Sequence, residues 1–292
     1  MVTVLALGAA LAYGVADFLG GAVARKSSAL RALAWCVPVG FVVVLIAALL
    51  IGGRPTWPSL AWGFGAGLAG GIGLITFYRA LARGPMSVVA PVSALASAVL
   101  PVGVGLFRGE RLDATVLAGV LLCLAAIGLV SMEKDAEAGD GEARGPGRWF
   151  DSGPLMAGIS GVCFGIFFTL LETAGDQGGL WPLVAARTGN LVVIGAALLV
   201  VIRMRGAIPG PPISGRVLIG LALLSGALDA SANGLYFVAA QQGMLSLAAV
   251  LTSLYPAITV LLARIAYSER LRAVQRLGLA VAVAGVALVT MG

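Results

Sequence analysis

Ten apolar runs of about 20 residues follow one another along this chain, and little else than a bundle of membrane-spanning helices accommodates such a pattern. The runs cover 3–23, 32–51, 60–82, 86–107, 112–132, 154–173, 182–202, 217–239, 244–266 and 273–291. A soluble domain carries about 25% charged residues to build its wetted surface. Here charged residues are 11% of 292 positions, hydrophobic residues are 60%, and the mean hydropathy is +1.02. Lipid must therefore be the solvent. The expected fold class is an all-α membrane protein of ten transmembrane helices.

The net charge of +6 does not point to nucleic acid, because the Lys and Arg lie between apolar runs and form no single stripe. They read as orienting charges. Loops after odd-numbered runs hold nearly all of them, from Arg25 to Arg276, whereas the opposite side has Arg54, Arg108 and Arg111. Both termini are thus expected to face away from the cytoplasm. Residues 2–22 resemble a signal peptide ending at Ala22-Val23-Ala24, but no Lys or Arg precedes the run, so a retained first helix is expected. Cys36, Cys123 and Cys163 lie in separate apolar runs, without the paired spacing of a disulfide framework or zinc site. Histidine is absent, which leaves carboxylates for any proton chemistry. No cofactor or metal is expected.

The connections are short and rich in turn residues, as in Gly52-Gly53-Arg54-Pro55 and Pro209-Gly210-Pro211-Pro212. One differs: Glu133 to Asp151 is polar, mixed in charge and glycine-rich, the composition of a flexible linker. The chain divides there into 1–132, a linker over 133–152, and 153–292. The halves resemble each other. A shift of 159 residues brings Gly67 onto Gly226, Gly84 and Ser87 onto Gly243 and Ser246, Glu110-Arg111-Leu112 onto Glu269-Arg270-Leu271, and Gly119 onto Gly278. Earlier, Tyr13-Gly14 matches Phe164-Gly165, and Arg31 matches Arg187 with a small change in loop length. Five spans per half is an odd number, so the second half is expected upside down relative to the first. Such inverted five-helix repeats place a substrate site near the midplane between them.

These halves resemble the EamA domain of the drug/metabolite transporter superfamily. Tyr13-Gly14-Val15-Ala16-Asp17-Phe18 looks like that family's first-helix motif, with Tyr13 and Phe164 in place of tryptophan. Arg31 and Arg187 look like its arginine near the start of the second helix of each repeat. Leu254-Tyr255-Pro256 with Ser268-Glu269-Arg270-Leu271, and Arg108-Gly109-Glu110-Arg111-Leu112, look like its proline-to-Gly-Glu-Arg-Leu endings; the first half has Ser97 where the second has Pro256. The resemblance implies an exporter of small metabolites or drugs and leaves the substrate open.

Gly65-Ala66-Gly67-Leu68-Ala69-Gly70 matches GxGxxG, but a dinucleotide site needs a preceding strand and a later acidic residue. This run lies inside an apolar span, followed by Arg79 and Arg83. Gly63, Gly67 and Gly71 instead share one helix face, which suits close helix packing. On that reading Gly67→Leu is damaging and Gly67→Ala mild. Glu110 and Glu269 precede arginines at loop mouths and read as helix-start charges or interfacial salt bridges.

Charged groups inside a span cost about 3 kcal/mol or more, so Asp17, Asp229, Arg79 and Arg187 stand out. The arginines are explained by snorkelling or carbonyl pairing, and the aspartates by a structural pair with an arginine. The functional alternative makes Asp17 or Asp229 a site for a proton or a cationic group, since burial disfavours the charged carboxylate. Asp229, Asn233 and Tyr236 share one face, a polar stripe that suits a cavity wall. Pro91, Pro101 and Pro256 are expected to interrupt their helices, flanked by Ser93, Ser97, Thr252, Ser253 and Tyr255. The candidate substrate or coupling set is therefore Tyr13, Asp17, Arg79, Ser93, Ser97, Asp229, Asn233, Tyr236, Ser253, Tyr255 and Pro256.

The expected function is export of a small molecule by alternating access, either proton-coupled through a carboxylate or by facilitated diffusion. The expected partners are that substrate and the lipid bilayer of the cell membrane, with no nucleic acid, in a monomer or homodimer. An antiporter of phosphorylated metabolites or nucleotide-sugars is the alternative; it needs cavity cations, and only Arg79 and Arg187 offer themselves. An intramembrane enzyme needs a nucleophile–base pair or metal cluster, and neither is legible. A non-transporting scaffold is the third class.

Overall fold

A computed structural model describes residues 2–107, the positions 114–115, 118–119, 121–122 and 125, and then 153–175, 178–241, 255–267 and 273–291. The described elements are all helical: α1 (Val2–Lys26), α2 (Ala29–Ile51), α3 (Trp57–Arg83), α4 (Met86–Phe107), α5 (Gly153–Thr173), α6 (Trp181–Arg205), α7 (Arg216–Gln241), α8 (Tyr255–Tyr267) and α9 (Ala273–Met291). Among the described residues these nine helices correspond to nine of the ten expected spans. The described positions of the 112–132 run are helical as well. Five helices, α1, α2, α3, α6 and α7, are long and apolar enough to cross a membrane. The polar linker lies outside the described residues, as do Cys123, Glu110 and Glu269 with their arginines.

Local chemistry sets the helix ends. Ser28 and Thr56 cap α2 and α3 by accepting from the amides of Arg31 and Ser59, both at 3.4 Å. The α6 helix opens on Trp181-Pro182 and stops at Gly206, whose φ of 74° is left-handed, a conformation that glycine adopts at low cost. Outward faces are apolar: Leu49, Leu50 and Ile51 on α2 and Leu199 and Val200 on α6 are all more than half exposed. So much exposed hydrocarbon fits lipid contact and not water. Inward faces use small residues, such as Ala6, Ala9, Ala10 and Ala16 of α1, all at most 1% exposed.

Packing runs chiefly between the halves. The first helix of each half lies against the third of the other (α1 on α7, α5 on α3). The second also packs on the opposite third (α2 on α7, α6 on α3), and the first on the opposite fourth (α1 on α8, α5 on α4). The two second helices touch, as do the two fourth helices. This pattern is unchanged when the halves are exchanged.

Glycine makes the crossings possible. A Cβ on Gly67 would overlap the Ala186 carbonyl, and one on Gly63 the Pro182 carbonyl, while Gly71 faces the Val193 side chain. The glycine face of α3 is thus a packing face against α6. Gly226 repeats the arrangement: its Cβ would overlap the Cys36 carbonyl of α2. The approach is too close for any side chain, so the expectation that Gly67→Ala is mild is wrong. The mates Gly67 and Gly226 also correct a second expectation. Cys36 takes the place of Ala186, so the residue opposite Arg187 in the repeat is Val37. Arg31, five residues before Cys36, takes the place of Trp181. Arg31 and Arg187 therefore stand at different depths, and their match by sequence was an accident of register.

Nor do Pro91 and Pro101 break their span, because α4 continues through both, as α2 does through Pro38. A proline removes one helical hydrogen bond, and membrane helices absorb that loss through neighbouring groups. Pro256 is the second residue of α8 as described.

Loop contacts sort the helix ends into two sets. Ser27 donates to the Pro211 carbonyl at 2.6 Å, and Arg31 to the Ile208 carbonyl at 2.7 Å. Arg25 donates to the carbonyls of Leu81 and Gly84 at 2.9 and 2.7 Å and lies 4.7 Å over the Tyr267 ring. At the other set, Gly53 approaches the Gly178 carbonyl, and Gly179 that of Gly52.

Candidate functional site

Arg187 and Asp229 form the centre of the described polar interior. Arg187 Nη1 lies 2.6 Å from Asp229 Oδ2, with the two side chains 6% and 26% exposed. The missing side chain of Gly40 on α2 leaves room for the guanidinium, which passes within 3.5 Å of where a Cβ would stand. Leu33, Cys36 and Val37 of α2 and Leu74 and Tyr78 of α3 border the pair around a void of about 10 Å³. That space approaches one water molecule and is far below the size of a metabolite.

A hydrogen-bonded relay adjoins it. Ser225 gives its one proton to the Ala16 carbonyl at 2.8 Å, so in its 3.2 Å contact with Tyr78 Oη the tyrosine is the donor. This relay ties α1, α3 and α7 together. Asn233 donates back to the Asp229 carbonyl at 2.8 Å, which holds its amide within α7.

Asp17 lies half-buried on α1, within electrostatic reach of Asp229 on α7, Tyr78 on α3 and Tyr255 on α8. Tyr13, one turn earlier on the same face, pairs with Tyr255 at 5.8 Å between ring centroids, the planes tilted by 53°. The Thr259 hydroxyl, also on α8, donates to the Gly14 carbonyl at 3.1 Å. A Cβ on Gly14 would come within 2.6 Å of Ile258, so the first-helix Tyr-Gly step presents a ring and, beside it, a closely packed backbone.

Several expected members fall elsewhere. Arg79 is exposed, on the side of α3 away from its buried neighbour Tyr78. Ser93 is 1% exposed and joined to Ser160 of α5 at 2.8 Å. Ser160 spends its proton on the Ala157 carbonyl, so Ser93 donates, and the pair is a link between helices. Ser97 bonds the Ala94 carbonyl of its own helix at 2.7 Å. Pro256 is buried and Tyr236 half-buried. Ser253 and Thr252 lie outside the described residues. Arg187, read from its own helix as snorkelling or carbonyl-paired, is the arginine partner of Asp229 that the structural-pair reading of the aspartates expected. Ser225, Ser160 and Thr259 were missed. Single hydroxyls in an apolar run carry no signal of depth; Ser225, next to Gly226 in sequence, faces α1 and α3 where Gly226 faces α2.

Among the described residues no group of three His, Cys, Asp or Glu is placed to hold a metal. What the arrangement provides is a compact polar centre, contributed by both halves, inside a shell of hydrocarbon.

The profile of the EamA-like transporter family matches residues 1–132 and 151–291. The chain belongs to the EamA-like transporter family. In this EamA chain the two matched segments fall on either side of the polar 133–150 stretch, in keeping with the internal repeat. A solved structure known only as "Crystal structure of protein" has a similar fold, with a TM-score of 0.61 and 22% identity over 99% of this chain and 96% of its own. No curated protein matches. The family makes this EamA protein a multi-pass membrane transporter.

Proposed function

We propose that this protein exports a small metabolite or drug-like molecule across the cell membrane by alternating access, coupled to protons through a carboxylate. The observation that carries the reading is the polar centre of Asp17, Tyr78, Arg187 and Asp229, drawn from both halves and enclosed by helices with lipid-facing outer surfaces. Two inverted five-helix halves, 1–132 and 153–292, flank a linker over 133–152. The loop contacts support the inversion. The turn after the first helix of one half meets the turn after the second helix of the other, at Ser27–Pro211 and again at Gly53–Gly178. Corresponding turns then lie on opposite sides of the bilayer. Exchange of conformations between the halves moves the opening from one side to the other.

The alternative, an antiporter for phosphorylated metabolites or nucleotide-sugars, needs uncommitted cations at the centre. Arg187 is neutralised by Asp229 and Arg79 faces outward, which favours the first reading. The test is purified protein in liposomes with a metabolite and drug panel, screened first by ligand-dependent thermal shift and then by uptake with and without an imposed proton gradient. Gradient-driven accumulation of at least one compound is expected. Stabilisation by none of the panel, with no uptake, leaves the non-transporting scaffold in place. Uptake indifferent to the gradient removes the proton coupling alone.

A further inference from the structure

Three charged side chains stand within the bundle at mid-height: Asp17, Arg187 and Asp229. Arg187 and Asp229 cancel each other at 2.6 Å. Among the described residues Asp17 has no hydrogen-bond or ion-pair partner, and no second cation among them is available to it. Arg25, two turns further along α1, is held by the carbonyls of Leu81 and Gly84 and by the Tyr267 ring. Arg79 points outward. Among the described residues, the titratable groups brought toward Asp17 by the helices packed on α1 are Tyr78 from α3, Asp229 and Tyr236 from α7, and Tyr255 and Tyr267 from α8, with Cys36 of α2 beyond Tyr78; α4 has none. Counted over the described residues, the centre is therefore one positive charge short of neutral when Asp17 is ionised.

An isolated carboxylate in a membrane interior is costly and calls for a counter-charge. An anionic ligand would add to the imbalance, and a neutral one would leave it. Tyr13 stands one helical turn from Asp17 and pairs with Tyr255 of α8, and aromatic faces attract cations. Resting on the transporter reading above, we propose that Asp17 is the specificity-determining residue for an organic monocation, its ammonium group against the carboxylate and its apolar body against the Tyr13–Tyr255 pair. The Arg187–Asp229 pair contributes no net charge and sets the number of cations taken at one.

The experiment is calorimetric titration of the full-length protein in lipid nanodiscs with three probes that share a ring and differ in charge: tryptamine, indole-3-acetamide and indole-3-acetate. Tryptamine is expected to bind more tightly than either analogue. Asp17→Asn should weaken tryptamine by about thirtyfold or more, while Asp17→Glu should recover most of that loss. Gly195→Ala, on α6 with nothing within 4 Å of an added Cβ, lies outside the polar centre and should bind within about threefold of the parent. Equal or undetectable binding of the three probes, unchanged tryptamine binding by Asp17→Asn, or an equal loss of binding in Gly195→Ala would each overturn the proposal. If Asp17→Asn does not fold, the probe series and Asp17→Glu decide. Titration requires no gradient or turnover, so the two readings fail separately. A protein that binds tryptamine but moves nothing in liposomes loses the transport reading, and one that moves an anion while ignoring tryptamine loses this one.

Discussion

At the scale of single residues, the interior is governed by how each buried charge is compensated. Removing one partner of a buried pair strands the other, at a cost of about 3 kcal/mol. Asp229→Asn should be the more damaging single change, because it leaves the guanidinium of Arg187, 5% exposed, without its carboxylate. Arg187→Gln should be milder, since Asp229 has more access to the surface. The double variant should regain most of the lost stability in thermal unfolding of the purified protein. Additive losses in the double variant would mean that the pair is not coupled. Ser93 makes the contrasting case. Its hydroxyl links α4 to α5 through Ser160, so Ser93→Ala should lower stability by about 1 kcal/mol and leave ligand binding unchanged. Altered binding with intact stability would return Ser93 to the candidate site.

At the scale of the helix, two glycines related by the repeat hold equivalent crossings. Gly67→Ala and Gly226→Ala both drive a methyl group into a backbone carbonyl. Each should cost about 1–3 kcal/mol and reduce the yield of folded protein. Gly195 lies on α6 with nothing within 4 Å of an added Cβ. Gly195→Ala should be neutral or stabilising by about 0.5 kcal/mol, the helix preference for alanine. Melting temperatures of the three variants in one detergent decide this. A Gly67→Ala protein as stable as the parent would show that α3 and α6 can separate without loss.

At the scale of the whole molecule, the orienting charges and the loop contacts make a joint prediction. Single cysteines at Ser27 and Pro211 should be protected from a membrane-impermeant maleimide in intact cells, whereas those at Gly53 and Gly178 should react, all in a background without Cys36, Cys123 and Cys163. Reversal of the whole pattern would turn the molecule over in the membrane and preserve the inverted repeat. Labelling of Ser27 and Gly53 from the same side would break the repeat itself.

Membrane character, the helical class and the relation between the halves were legible in the sequence, because each depends on properties that add along the chain. Some 20 apolar residues span a bilayer whatever their neighbours, and the matches of Gly, Ser and Glu-Arg-Leu between the halves, such as Gly67 with Gly226, lie in register along the sequence. The glycine face of α3 was legible for the same reason, since a spacing of four marks a face. Side-chain partnership was not, because it depends on which helices cross and at what depth. Nothing local distinguishes Arg79, which faces outward, from Arg187, which is buried against Asp229. Arg31 and Arg187 align by eye, but the overlapping carbonyls at Gly67 and Gly226 put Val37 opposite Arg187. The two aspartates looked alike as isolated carboxylates within apolar spans. Tertiary structure alone separated them, by bringing a guanidinium from another helix to Asp229 and, among the described residues, none to Asp17.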